Sequence, residues 1–178
     1  MKPKDIANTG MAIALLFVTG YVVYMVTKPL VLPGAKFLFM APLLSFIQYF
    51  PLKASAKAST IVLLNVGFAI LLALMSPLMS VAILLSGLMA AVVFACVLKL
   101  TNTEQAIHWS MSSYPMWAML ISFYISIEIT KLNIYGSQWN VLVGVVAIAC
   151  FALGRIGTYF SERLIHRTNP KRRKTNDF

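Results

Sequence analysis

The sequence predicts an all-α fold: a polytopic membrane bundle of six transmembrane helices in one domain, 1–178, with both termini in the cytoplasm. Three observations lead there. Hydrophobic residues make up 60% of the chain, charged residues only 11%, and mean hydropathy is +0.81, which leaves too few hydrophilic positions to cover a water-facing surface. Apolar stretches recur along all 178 residues, whereas a signal peptide gives one short apolar run before a polar mature chain, so the N-terminal segment reads as a retained helix. Lysine and arginine, finally, gather in alternate loops.

A bilayer-spanning helix needs about 20 apolar residues. The first candidate runs over about 6–26. The second, about 37–50, is short unless it extends backwards through Pro33 and Gly34. The third and fourth, about 60–75 and 80–98, are separated only by the turn in "MSPLMS" and should form a helical hairpin. The fifth covers about 110–130 and carries five serines with Pro115 near its start; their hydroxyls can satisfy the carbonyl that Pro115 leaves free. The sixth covers about 141–160, and 161–178 form a basic cytoplasmic tail, either a topology signal or a contact for anionic lipid.

With six spans, the side holding both termini collects eleven cations: Lys2, Lys4, Lys53, Lys57, Lys99, Arg163, Arg167, Lys171, Arg172, Arg173 and Lys174. The other side holds three, Lys28, Lys36 and Lys131. That bias places both termini inside. The net charge of +10 is therefore a matter of topology and does not indicate nucleic-acid binding.

Little material for chemistry remains. The chain has no phosphate-binding loop, no HExxH, no GxSxG and no two acids within one helical turn, so no catalytic residue is assigned and the protein reads as a non-enzyme. Cys96 and Cys150 lie in apolar runs without CxxC spacing and read as small buried residues; no metal site and no cofactor is expected. His108, beside Trp109, reads as an interfacial belt residue. Arg155 either snorkels to the cytoplasmic edge or pairs with Glu104.

The polar and aromatic groups gather in "SIEITKLNIYGSQWNV", at the outer ends of the fifth and sixth helices. Glu128 has two readings there. Lys131, three residues on, satisfies it as an interfacial ion pair, or it binds a small polar ligand in a pocket open to the outside. In the second case Trp139, Tyr135 or Trp117 stacks on a flat ring, and Asn133, Gln138 and Asn140 orient it. The two interfacial aromatics, Trp139 and Tyr135, also suit an aromatic belt. The outer loop "TKPLVLPGAKF" favours a folded lid over a helix.

Deeper in the membrane, Gln48 and Asn65 need partners, through interhelical hydrogen bonds or as the floor of a cavity. Ala7, Gly10 and Ala14 form a small-residue stripe on the first helix, and the sixth has its own from Gly144 through Gly154 and Gly157. Each allows a second helix to approach closely, either within the chain or on a different membrane subunit.

Six short spans, ends inside, a Pro-Gly outer loop, a small-residue first helix and a polar-aromatic outer end together resemble the substrate-binding S components of energy-coupling factor transporters. The resemblance covers the whole chain as architecture and has no residue-level motif. It implies a prokaryotic plasma-membrane protein that captures a vitamin or precursor from outside. It also implies docking through the first helix onto a transmembrane coupling subunit served by two ABC ATPases. Ala7, Gly10 and Ala14 fall at that helix's docking pattern, with Gly10 in place of an alanine. The metal-ion branch lacks its histidines, and aromatics, amides and one acid slightly favour a pyridoxine-like or pyrimidine-like cargo. Other readings stay open: a structural or accessory subunit resembling small cell-shape proteins, another small transporter, or a lipid enzyme. The last is disfavoured, because Glu128 and Arg155 lie at different depths.

Overall fold

The computed structural model describes residues 3–27, 35–74, 76–130 and 137–168, and all regular structure among them is helical. Six helices follow in order: α1 (Pro3–Thr27), α2 (Ala35–Ser55), α3 (Ala58–Ala73), α4 (Pro77–Leu100), α5 (Thr103–Thr130) and α6 (Ser137–Thr168). Four segments are long and apolar enough to cross a membrane: Asp5–Thr27, Lys36–Ser55, Pro77–Leu100 and Val141–Thr168. Helix α3 has 16 residues, about 24 Å at about 1.5 Å per residue, short of a hydrocarbon core of about 30 Å.

Helix α5 is long enough, with 28 residues, but too polar for the same group. Its position explains the composition. It packs against α2, α4 and α6, and every residue from Ser110 to Pro115 is buried, so much of it meets protein rather than a bilayer. A sheathed helix can carry hydroxyls as long as each finds an acceptor. Ser110 Oγ donates to the Ala90 carbonyl of α4 at 2.7 Å, and Ser113 Oγ to the Ser110 carbonyl at 2.9 Å.

Several helix ends differ from the sequence expectation, and α5 begins at Thr103 rather than near 110. Helix α2 begins at Ala35 and gains its length forward, through Pro51 to Ser55, with Pro33 and Gly34 outside the described residues. Helix α6 continues past 160 to Thr168, because Ser161 Oγ bonds the Phe46 carbonyl of α2 at 3.0 Å and Glu162 reaches His108 of α5. The first turn of the expected tail is thus part of the bundle.

Cross-links between helices show consecutive elements running antiparallel. Lys53 near the end of α2 meets Glu104 at the start of α5, and Ser161 late in α6 meets Phe46 of α2. The chain ends of α2, α4 and α6 therefore lie beside the starts of α1, α3 and α5; this basic end carries Lys53, Lys57, Lys99, Arg163 and Arg167. At the far end lie Lys36 and Glu128. Helices α3 and α4 pack as a hairpin, whereas among the described residues α1 packs on α2 and α3 alone and sits on the perimeter. The main core joins Leu44, Ile47, Leu64, Phe68, Phe94 and Met111, and a smaller far-end cluster joins Ala41, Met119, Ala147 and Cys150.

Backbones pack closely where α2, α5 and α6 meet. Pro115 has no N–H to give the Met111 carbonyl one turn earlier. Ser45 Oγ, on α2, donates to that carbonyl at 2.8 Å. The rescuing hydroxyl thus comes from a neighbouring helix rather than from the serines of α5. Gly154 of α6 sits against the same group: a Cβ there would meet the Ser112 carbonyl at 2.7 Å, Ser45 Oγ at 2.9 Å and Pro115 Cγ at 3.1 Å. One turn on, Gly157 lies on the Pro42 backbone, and a Cβ would collide with its carbonyl oxygen. Ala147, Cys150, Gly154, Gly157 and Ser161 recur every three or four residues and are all buried, a seam of small side chains that lets backbones touch.

Candidate functional site

Of the residues expected to bind a solute, Glu128 and Trp117 have described side chains, and both face one groove. It is about 730 Å³, formed mainly by the far-end half of α5 between Val81 and Leu85 of α4 and Val143 of α6. Phe123 and Tyr124 add aromatic wall. Glu128 is exposed in the groove, and Trp117 is half-buried. The indole Nε1 of Trp117 and the Ser122 hydroxyl are both buried and have no hydrogen-bond partner among the described residues. Such groups cost about 1–3 kcal/mol each in an apolar setting; of the two, Trp117 lines the groove and Ser122 does not. Glu128 and Trp117 are about three helical turns apart, roughly 16 Å along the axis at about 1.5 Å per residue. A single-ring molecule therefore touches one of them, not both. Asn133 and Tyr135 lie outside the described residues, as does Lys131; Gln138, Trp139 and Asn140 begin α6, but their side chains lie outside the described set.

Ala7, Gly10 and Ala14 are all exposed on α1, and a Cβ on Gly10 would have nothing within 4 Å. The opposite side of the helix enters the bundle through Thr9, Ala12 and Leu16. At about 100° per residue the two faces are separated by about 160°. Around the stripe stand Ile6, Met11 and Val18, exposed by 55%, 74% and 59%. Buried Thr9 and Thr27 donate back to their own helix, to the carbonyls of Asp5 at 2.8 Å and Val23 at 2.7 Å, so they need no partner beyond α1. The first-helix stripe therefore packs on nothing described within the chain.

A polar cluster at the basic end was not foreseen. His108 Nε2 lies 3.3 Å from Tyr49 Oη and 3.2 Å from Glu162 Oε2, linking α5 to α2 and α6. His108 is a bridge between helices rather than a belt residue, with its side chain only 15% exposed. Lys53 pairs with Glu104; that hydrogen bond, and then the charge of the ammonium, hold the Glu104 carboxyl below its ordinary range. Glu104 is accordingly taken, and Arg155 lies instead over the Trp109 ring, 5.4 Å from its centroid, a cation–π contact on the exposed face. The signal for this cluster was present in the residue types, but His108 and Glu162 are far apart in sequence and only the bundle joins them.

No family model matches the chain, and no curated protein and no solved structure is significantly similar to it. Residue chemistry and geometry carry the assignment.

One polar core residue, Asn65, also resolves differently from expectation. Asn65 Nδ2 donates to the Ile61 carbonyl of its own helix at 2.8 Å instead of across to another. Its side chain packs on Gly87 of α4, where a Cβ would stand 2.5 Å from Asn65 Cβ. Among the described residues no group of three or more His, Cys, Asp or Glu side chains is placed to hold a metal.

Proposed function

We propose that this chain is the solute-binding membrane subunit of an importer of the energy-coupling factor type. It spans the plasma membrane of a prokaryote six times with both ends in the cytoplasm. It captures a vitamin-like organic solute from outside and delivers it by docking on a coupling subunit driven by two ABC ATPases. The observation that carries this reading is the outward face of α1, where Ala7, Gly10 and Ala14 leave a shallow strip open to a foreign helix while α6 uses Gly154 and Gly157 within the bundle. The sequence offers no nucleotide-binding loop of its own, which fits an energy source on a partner. In this reading the two remaining crossings are made by α5, packed between α2, α4 and α6, and by α3, which is apolar but only 16 residues long. In this reading the α5 groove faces the solute, with Glu128 and the Trp117 indole as polar anchors and Asn133, Tyr135, Gln138, Trp139 and Asn140 close by in sequence.

The test is capture through a tag on the C-terminal tail, from native membranes in mild detergent, with mass spectrometry of proteins and small molecules. Recovery of a larger membrane subunit with two ATP-binding proteins is expected. Recovery of cell-shape or envelope proteins, without an ATPase or solute, replaces the importer with a structural subunit.

A further inference from the structure

At the far end, away from the α5 groove, the first four helices enclose a second cavity of about 180 Å³. Five rings converge on it: Phe17, Tyr21 and Tyr24 from α1, Phe37 from α2 and Phe68 from α3. The thioethers of Met40 and Met79 fill the spaces between, and sulfur makes favourable contacts with ring edges. Buried Leu44, Phe68 and Ile83 close the floor, whereas Tyr21 and Tyr24 stand at the rim, 43% and 39% exposed. Ser76 adds a hydroxyl from the α3–α4 turn. Among the described residues no charged side chain lines the space; Lys36 sits beyond it, 4.9 Å from the Tyr24 ring.

We propose that this α1–α4 cavity binds one uncharged planar ring with its apolar edge on the Leu44–Phe68–Ile83 floor and its polar substituents toward Tyr21, Tyr24 and Ser76. Size decides for a single ring. An apolar cavity of roughly 150 Å³ accommodates one benzene, whereas pockets for larger ligands begin near 300 Å³. Charge decides for a neutral one, since an ion here would lose its hydration without a partner. Gly20 makes the space possible: a Cβ there would already lie 3.3 Å from Met40 Cε and 4.0 Å from Phe68 Cζ, so a longer side chain must enter the cavity or displace its wall. This deepens the importer reading and rests on it for the identity of the occupant as cargo; it places the ring of the solute here in place of the Glu128 groove.

Phenol, a neutral single ring with one hydroxyl, is the probe. Saturation-transfer NMR on the purified full-length chain in nanodiscs measures its binding without any partner subunit, so partner capture can fail or succeed independently. Saturable phenol binding is expected, weakened at least about tenfold by Gly20→Leu. Ser76→Leu is the second filling variant, chosen because the Ser76 side chain makes no capping hydrogen bond whose loss would unfold α4. It should weaken phenol by a similar factor, while Ile148→Ala, exposed on α6 away from the cavity, leaves it unchanged. Absence of saturable binding, or equal affinity in a folded filling variant, overturns the proposal and leaves the importer reading standing with its ring in the α5 groove.

Discussion

Helices α1 and α6 carry the same kind of sequence signal and use it in opposite ways. On α6, Gly154 and Gly157 are buried against the backbones of α5 and α2. On α1, Gly10 meets nothing within 4 Å, and Ala7 and Ala14 are exposed beside it. Small residues spaced three and four apart state that a helix can approach closely; they do not state which helix. In water, polarity would distinguish the buried face from the exposed one. In a bilayer both faces are apolar, and only the fold resolves the question. Even within α6 the signal divides, for Gly144 faces open space like Gly10. At about 100° per residue it is turned about 80° from Gly154 and about 140° from Gly157.

The largest expected effect tests the α6 side. Gly157→Leu puts side-chain atoms where the Pro42 carbonyl lies, and backbone cannot rotate away as a side-chain tip does. The helices must separate, at a cost on the order of 3 kcal/mol, the upper part of the range for overpacked cores. Thermal unfolding in detergent should fall sharply, and an unchanged melting temperature would mean that the α2–α6 seam is not the closest contact in the bundle.

A smaller effect tests why that seam exists. Ser45→Ala removes the hydroxyl that serves the Met111 carbonyl, at a cost of about 1 kcal/mol. Pro115→Ala supplies an N–H one turn after Met111 and so offers the carbonyl an ordinary helical donor. In that background the serine should matter less than half as much. A double-mutant cycle reads the coupling directly, and additive losses would separate Ser45 from the proline.

Smaller again is the ion pair that closes the basic end of the same helices. Lys53 holds the Glu104 carboxyl below its ordinary value of 4.5. A group with a depressed folded-state value binds its proton more readily when unfolded, so its contribution is complete above the ordinary value and fades as pH falls through the folded one. Because the Glu104 side chain is 68% exposed, solvent screening limits the contribution to below about 0.5 kcal/mol. Lys53→Met should flatten the acid limb of the stability profile by that amount; an unchanged limb shows the pair contributes nothing.

Much of the architecture was legible, and the reason differs by element. Apolar length announced α1, α2, α4 and α6 directly, since spanning a bilayer constrains composition strongly. Helix α5 was legible through its serines and Pro115, yet its rescuing partner, Ser45, lies in another helix, and no local pattern encodes that. The end of α6 was misplaced because its last turns are polar, and what keeps them helical is Ser161 on Phe46 and Glu162 on His108. At the candidate site, chemistry was more legible than geometry. Glu128 and Trp117 were selected by residue type and share a groove, but helical rise separates them beyond one ring's reach. The α1–α4 cavity gave no sequence signal, because Phe17, Tyr21 and Tyr24 read as ordinary residues of a membrane helix until Phe37 and Phe68 face them.

The smallest expected effect on folding is the most informative about function. Gly10→Leu adds a side chain into open space, and glycine is the poorer helix former, so stability should hold within about 0.5 kcal/mol or rise slightly. Ala14→Leu should behave alike, and both should leave phenol and solute binding as they were. Only a foreign helix lying on the stripe would feel the added bulk. Loss of the co-purifying membrane subunit and ATPases, with melting temperature unchanged, would therefore identify the α1 face as the contact. If Gly10→Leu destabilises the isolated chain as Gly157→Leu does, α1 packs by its small-residue face after all, and the contrast between the two helices collapses. If it changes neither stability nor capture, the stripe faces lipid and any partner must dock elsewhere on the bundle.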